Sequence, residues 1–119
     1  MPKILVVDAA EFMRMRCTKM LSENGHEVVE ASTGREALEQ YKSQKPDAVL
    51  LDMTMPDMDG LTALKAMRAV NPNAKVAMVT AMGQQTVVME ALKAGALDFV
   101  VKPFDPARLL QAVQKMLAA

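Results

Sequence analysis

Ala48-Val49-Leu50-Leu51-Asp52-Met53-Thr54-Met55-Pro56-Asp57-Met58-Asp59-Gly60 is the stretch on which the reading of the fold turns. Four apolar residues run without interruption and stop at an acid. Turn-forming Pro, Asp and Gly follow, and helical spacing begins at Leu61. A strand that is apolar at every position is buried on both faces, which is the condition of a strand inside a parallel sheet covered by helices. The same signature recurs in both directions. Lys3 to Val7, Glu27 to Ala31, Lys75 to Val79 and Leu97 to Val101 are short runs rich in Val, Ile, Leu and Ala, which with Ala48 to Leu51 makes five strand candidates.

The segments between them carry apolar residues at helical spacing. Phe12, Met13, Cys17, Met20 and Leu21 mark a first helix ended by Gly25, a residue suited to the left-handed position after a helix. Thr33 and Glu36 form a capping-box pattern opening a second helix with Ala37, Leu38 and Tyr41 on its inner side. Leu61, Leu64, Ala66 and Met67 predict a third that stops near Asn71 and Pro72, and Val87, Val88, Ala91 and Leu92 a fourth that runs to Gly95. Asp105 followed by Pro106 is an N-cap with proline at the first helical position of a fifth. Strands alternating with helices predict an α/β fold, a five-stranded parallel sheet with helices on both faces.

The chain of 119 residues has the size of one domain, and with 51% hydrophobic and 24% charged residues it has the composition of a folded protein. Its 14 basic residues balance 14 acidic ones, so no net field draws it to nucleic acid or to an anionic membrane. No leader pattern is present, and the longest apolar runs fall far short of a membrane span, so the expected location is cytoplasmic. Cys17, the one cysteine, reads as a small buried hydrophobe. The twelve methionines read mainly as core filler, with a minority available for an adaptable binding surface.

In an open parallel sheet all strands end on one edge, and ligands bind there. The residues after the strands are Asp8, Asp52, Thr80 and Lys102. Each alone has an ordinary explanation, since Asp and Thr are good helix caps and a lysine is at home in solvent. Together they form a complementary set: a nucleophilic carboxylate, a second carboxylate for a divalent cation, and a hydroxyl and an ammonium for phosphoryl oxygens. That set points to phosphoryl transfer onto a carboxylate, with Mg²⁺ as the metal.

Val6-Val7-Asp8, Leu50 to Gly60, Val79-Thr80-Ala81 and Val100-Val101-Lys102-Pro103-Phe104 closely resemble the receiver domains of two-component response regulators. Phe12-Met13-Arg14-Met15 and Ala81-Met82-Gly83-Gln84-Gln85 are most similar to the single-domain, chemotaxis-type (CheY-like) members. The resemblance spans the chain, residues 1–119, as one receiver domain. It implies a flavodoxin-like strand order, 2-1-3-4-5, and a phosphorylation-switched monomer that acts through protein binding. Asp52 matches the acceptor of a phosphoryl group from a sensor histidine kinase, and Thr80 and Lys102 match the residues that hold it. Asp8, Asp52 and the backbone carbonyl of Thr54 match the metal ligands, and Phe99 the aromatic that repacks when the threonine moves. The altered surface, formed by the fourth helix, fifth strand and fifth helix, would meet a downstream target such as a flagellar motor protein. The Lys102-Pro103 bond is expected to be cis.

The chain departs from the family at one position. Where the family has two adjacent acids after the first strand, this sequence reads Asp8-Ala9-Ala10-Glu11. Ala9 ligates nothing, so Mg²⁺ binding and phosphorylation are expected to be weakened, unless Glu11 substitutes; its simpler reading is a first-turn acid favoured by the helix dipole. Two alternatives follow: a receiver fold that serves as a scaffold without phosphorylation, and a hydrolase using Asp52, ranked last because position 54 is Thr rather than a second acid. Asp57-Met58-Asp59-Gly60 lacks the remaining ligands of a calcium loop, and His26 reads as a surface residue.

Overall fold

The computed structural model describes residues 1–119. Ten elements alternate: β1 (Lys3–Val7), α1 (Glu11–Glu23), β2 (Glu27–Ala31), α2 (Gly34–Gln44), β3 (Ala48–Leu51), α3 (Gly60–Val70), β4 (Val76–Thr80), α4 (Gln85–Lys93), β5 (Asp98–Val101) and α5 (Pro106–Ala118). Every pairing is parallel, and the strand order is β2-β1-β3-β4-β5.

Alternation along the strands divides the core into two layers. Leu5, Val7, Val49, Leu51, Val76 and Met78 face α2, α3 and α4, whose Tyr41, Leu64, Met67 and Ala91 complete that layer. Ile4, Val6, Leu50, Ala77, Val79 and Val100 face α1 and α5, which supply Cys17, Leu21, Leu109, Val113 and Met116. Burying each of the larger side chains stabilises the fold by roughly 1.5–3 kcal/mol. The three central strands are apolar because both their faces are covered; β2, at the sheet margin, tolerates exposed Glu27 and Glu30.

The local stop signals act as their chemistry dictates. Gly25 adopts φ 84° after α1, and the N–H of His26 returns to the Leu21 carbonyl at 3.0 Å. Asp105 caps α5 by accepting from the Ala107 N–H, with Pro106 in the first turn. At α2 only half of the expected capping box forms. Thr33 Oγ1 accepts from the Glu36 N–H at 3.1 Å, while the Glu36 carboxylate accepts from the Ser32 hydroxyl at 3.3 Å. Lys45 closes α2 at φ 48°, a left-handed position for which the sequence offers no glycine.

Several expectations need correction. β4 begins at Val76 and includes Thr80, and β5 begins at Asp98, one residue later than the apolar runs indicate. Phe12 and Leu92 are 68% and 47% exposed, so neither belongs to the inner stripe of its helix. Phe12 lies roughly 140° around its helix from the buried Cys17, and Leu92 roughly 100° from the buried Ala91, so both point away from the sheet. The methionines follow their expected division: Met53, Met55, Met67, Met78 and Met116 are buried and Met20 and Met58 pack against the core, while Met1, Met15, Met82 and Met89 are exposed. His26 is half-buried, with its Nδ1 shut away from solvent and without a hydrogen-bond partner. No helix is long and apolar enough to cross a membrane.

Candidate functional site

Register brings the acids together. Val7 pairs with Leu51 in the parallel ladder between β1 and β3, so the next residues, Asp8 and Asp52, leave the sheet side by side. The Asp52 N–H donates to the Val7 carbonyl at 3.0 Å and the Asp8 N–H to the Ala31 carbonyl at 3.1 Å, which extends the ladder into the site. On the far side, Thr80 pairs with Val101, and the Lys102 N–H donates to the Thr80 carbonyl at 2.8 Å. Asp8, Asp52 and Lys102 continue the alternation of Val6, Leu50 and Val100, the layer covered by α1 and α5. Thr80 continues that of Met78, the opposite layer.

The Lys102 ammonium lies 2.5 Å from Asp8 Oδ2 and 3.6 Å from Asp52 Oδ2, and all three side chains are less than a fifth exposed. One cation thus sits between two carboxylates, with the cis Lys102-Pro103 bond directly beyond it. Burial raises the Asp52 carboxyl above the ordinary carboxylate range; Lys102 opposes this, the Asp8 charge adds to it, and the N–H groups of Met53 and Thr54 hold it down. The Met53 N–H donates to Asp52 Oδ1 at 2.8 Å. Beneath the acids, burial and the Asp8 charge push the Cys17 thiol up to about 11, so it stays protonated and unreactive at neutral pH, as its reading as a core residue requires.

Thr80 is buried, with its Oγ1 accepting from the Met82 N–H at 3.3 Å. Phe99 pairs with Met78 across β4 and β5 and packs, half-buried, against the same layer that Thr80 continues. The predicted switch pair therefore shares one face of the sheet. Thr54 is exposed, two residues past Asp52, and its hydroxyl lies 3.5 Å from the Met82 sulfur. A cavity of about 300 Å³, lined in part by Met53, Thr54, Met55, Met82 and Val87, opens beside the acid pair without including it.

The oxygens gathered at this edge are of the kind that could hold a hard cation. Asp8, Asp52 and the Thr54 carbonyl are all oxygen donors, and a Mg²⁺ ion that keeps several waters needs only one or two carboxylates. Nowhere does the molecule gather three or more His, Cys, Asp or Glu side chains that could hold a metal, and Ala9, exposed beside Asp8, adds no donor.

Sequence reasoning did not single out the supports of this site. Arg14 on α1 donates to the Asp8 carbonyl at 2.8 Å while its Nε pairs with Glu30 at 3.3 Å, and Asp57 accepts from the N–H groups of Gly34 and Arg35 at 2.9 Å each. An arginine on a helix and an acid in a turn carry no local sign of such long-range partners.

The comparisons decide the family. The chain matches the response regulator receiver domain over residues 4–114. It belongs to that family. It is 50% identical over 115 residues to the chemotaxis protein CheY of Thermotoga maritima, covering 96% of each chain. With the chemotaxis protein CheY of Bacillus subtilis it shares 51% identity over 116 residues, covering 97% of each. Among solved structures, the CheX-CheY-BeF3-Mg²⁺ complex from Borrelia burgdorferi superposes with a TM-score of 0.91 at 37% identity, over 94% of this chain and 86% of that one. Receiver domains are signalling domains of two-component systems rather than metabolic enzymes, and they typically bind Mg²⁺ for phosphorylation.

Proposed function

We propose that residues 1–119 act as one phosphorylation-switched receiver domain whose phosphoacceptor is Asp52. The observation that carries this reading is the ammonium of Lys102 set between Asp8 and Asp52 at the ends of adjoining strands, in a chain of this family. An Asp52 oxygen attacks the phosphorus of a phosphohistidine on a sensor histidine kinase. The P–N bond breaks, the imidazole leaves, and an acyl phosphate remains on Asp52. Asp8, Asp52 and the Thr54 carbonyl would hold Mg²⁺, which supplies charge neutralisation. Lys102 counters the charge that arrives with the phosphoryl oxygens, and the Thr80 hydroxyl turns from the Met82 N–H to bind one of them. Phe99 then repacks and alters the face of α4, β5 and α5.

The reading extends to a monomeric, cytoplasmic protein with a protein output. The Borrelia burgdorferi complex pairs a CheY with CheX, which favours a partner of that kind or a flagellar motor protein for this chain too. Ala9 supports weaker metal binding than the family norm and gives the scaffold alternative its one specific observation. Treating the protein with acetyl phosphate in Mg²⁺ and measuring its mass tests both: one phosphate should be added. Persistence of that phosphate in Asp52→Asn would rule out the assigned acceptor, and metal-independent silence of the wild type would favour the scaffold.

A further inference from the structure

Residues Met53 to Asp59 cross from β3 to α3 as a loop that bears the Met53 N–H and the Thr54 backbone. Its base is closed: the Gly60 N–H donates to the Met53 carbonyl at 2.6 Å, and Thr54 bridges to Asp59. Its tip reaches a different element. The geometry points to Asp57 as a positioning residue for the acid site, fastening this loop to the first turn of α2 and so fixing the backbone of Met53 and Thr54. The inference rests on the reading of Asp52 as phosphoacceptor with a metal beside it.

Asp57 spends both carboxylate oxygens across the gap, Oδ1 on the Gly34 N–H and Oδ2 on the Arg35 N–H, each at 2.9 Å. The helix has a cap of its own, because Thr33 Oγ1 already takes the Glu36 N–H. Asp57 therefore satisfies the two remaining first-turn donors and, in doing so, joins two segments more than twenty residues apart. Its neighbour Met58 makes the second contact. A Cβ at Gly34 would lie 2.3 Å from the Met58 Cγ and 2.6 Å from its sulfur, so a glycine there lets the loop settle directly on the helix. The Gly34 and Arg35 N–H groups hold the Asp57 carboxyl below the usual range, as charge-assisted bonds to its ionised form require.

The consequence for the site is mechanical. A loop held only by its closed base can still swing as a unit, carrying with it residues 53 and 54, which donate to Asp52 and offer the carbonyl ligand. Pinning the tip removes that freedom before any ion arrives. In a site short of one carboxylate, such preorganisation matters more.

NMR on four proteins tests this: wild type, Asp57→Ala, Asp57→Asn and Thr33→Ala. Amide exchange of Met53 and Gly60 without metal, a MgCl2 titration followed at Met53 and Thr54, and a thermal melt are recorded for each. Asp57→Ala should weaken Mg²⁺ binding about tenfold and speed exchange at Met53 and Gly60 by about the same factor. Asp57→Asn, which keeps one acceptor, should fall between. Thr33→Ala removes the other cap of the same helix, so it should lower the melting temperature while leaving Mg²⁺ affinity and exchange unchanged. Unchanged affinity and exchange in both Asp57 variants, or an equal effect of Thr33→Ala, would overturn the proposal. A wild type that shows no Mg²⁺ response while the exchange difference persists would instead overturn the functional reading, and with it any role for Asp57 in the site.

Discussion

Replacing Lys102 by methionine keeps the aliphatic stem and removes the one charge that lies within 3.6 Å of both acids. Asp8 and Asp52, little exposed, are left facing each other with no cation. Breaking a buried ion pair by removing one partner costs about 3–5 kcal/mol, and the rim position of this site places the loss near 3 kcal/mol at pH 8. For a chain of this size that lowers the melting temperature by about 10 °C. The loss should depend on pH. Burial already raises the Asp52 carboxyl and Lys102 is what opposes the rise, so without Lys102 the carboxyl climbs further. A carboxyl raised in the folded state contributes stability below its unfolded value, near 4, and loses it as pH rises through the folded value. The deficit of the variant is therefore largest at pH 8 and shrinks toward pH 5, by at most about 1.4 kcal/mol per pH unit for one proton. Urea unfolding followed by circular dichroism at pH 8, 6.5 and 5, without metal, measures it for both proteins. A deficit under about 1 kcal/mol at pH 8, or one that does not change with pH, would show that Lys102 does not carry the acid pair.

Two further substitutions probe the same edge of the sheet. Ala9→Asp supplies a third carboxylate facing Lys102, so Mg²⁺ should bind about tenfold more tightly and phosphorylation quicken, while the metal-free protein melts a few degrees lower from added repulsion. Equal Mg²⁺ affinity in the two forms, by calorimetric titration, would mean that another oxygen such as that of Glu11 already fills the place. Gly60→Ala puts a Cβ 2.2 Å from the Asp52 carbonyl oxygen and 2.7 Å from the Met53 Cα, backbone atoms that cannot step aside, so it should destabilise by at least about 2 kcal/mol. A denaturation midpoint within error of wild type would refute the close packing of the loop on the start of α3.

The five strands, five helices and most of their boundaries were legible in the sequence because each is set by local physics. Uninterrupted apolar runs need two covered faces, and Gly25, Thr33 and Asp105-Pro106 stop or start a helix by their own conformational and hydrogen-bonding preferences. The candidate site was legible for a related reason: in a parallel sheet every strand ends on one edge, so Asp8, Asp52, Thr80 and Lys102 could be grouped before any distance was known. Local pattern failed where partners come from afar. Phe12 and Leu92 are apolar yet face solvent, because each lies well round its helix from the buried Cys17 or Ala91 and apolar character alone does not mark the inner face. The Glu36 carboxylate went to Ser32, Asp57 to the start of α2, and Arg14 to the Asp8 carbonyl. Lys102 rests on Asp8 from 94 residues away, a pairing that depends on the crossovers placing β1 and β3 side by side and on β4 carrying β5 behind them. The sequence alone determined which elements form and at which edge the chemistry lies, since both follow from periodicity and chain direction; only the tertiary structure decided which charge meets which and which loop is held still, since those depend on distances between segments that no local rule relates.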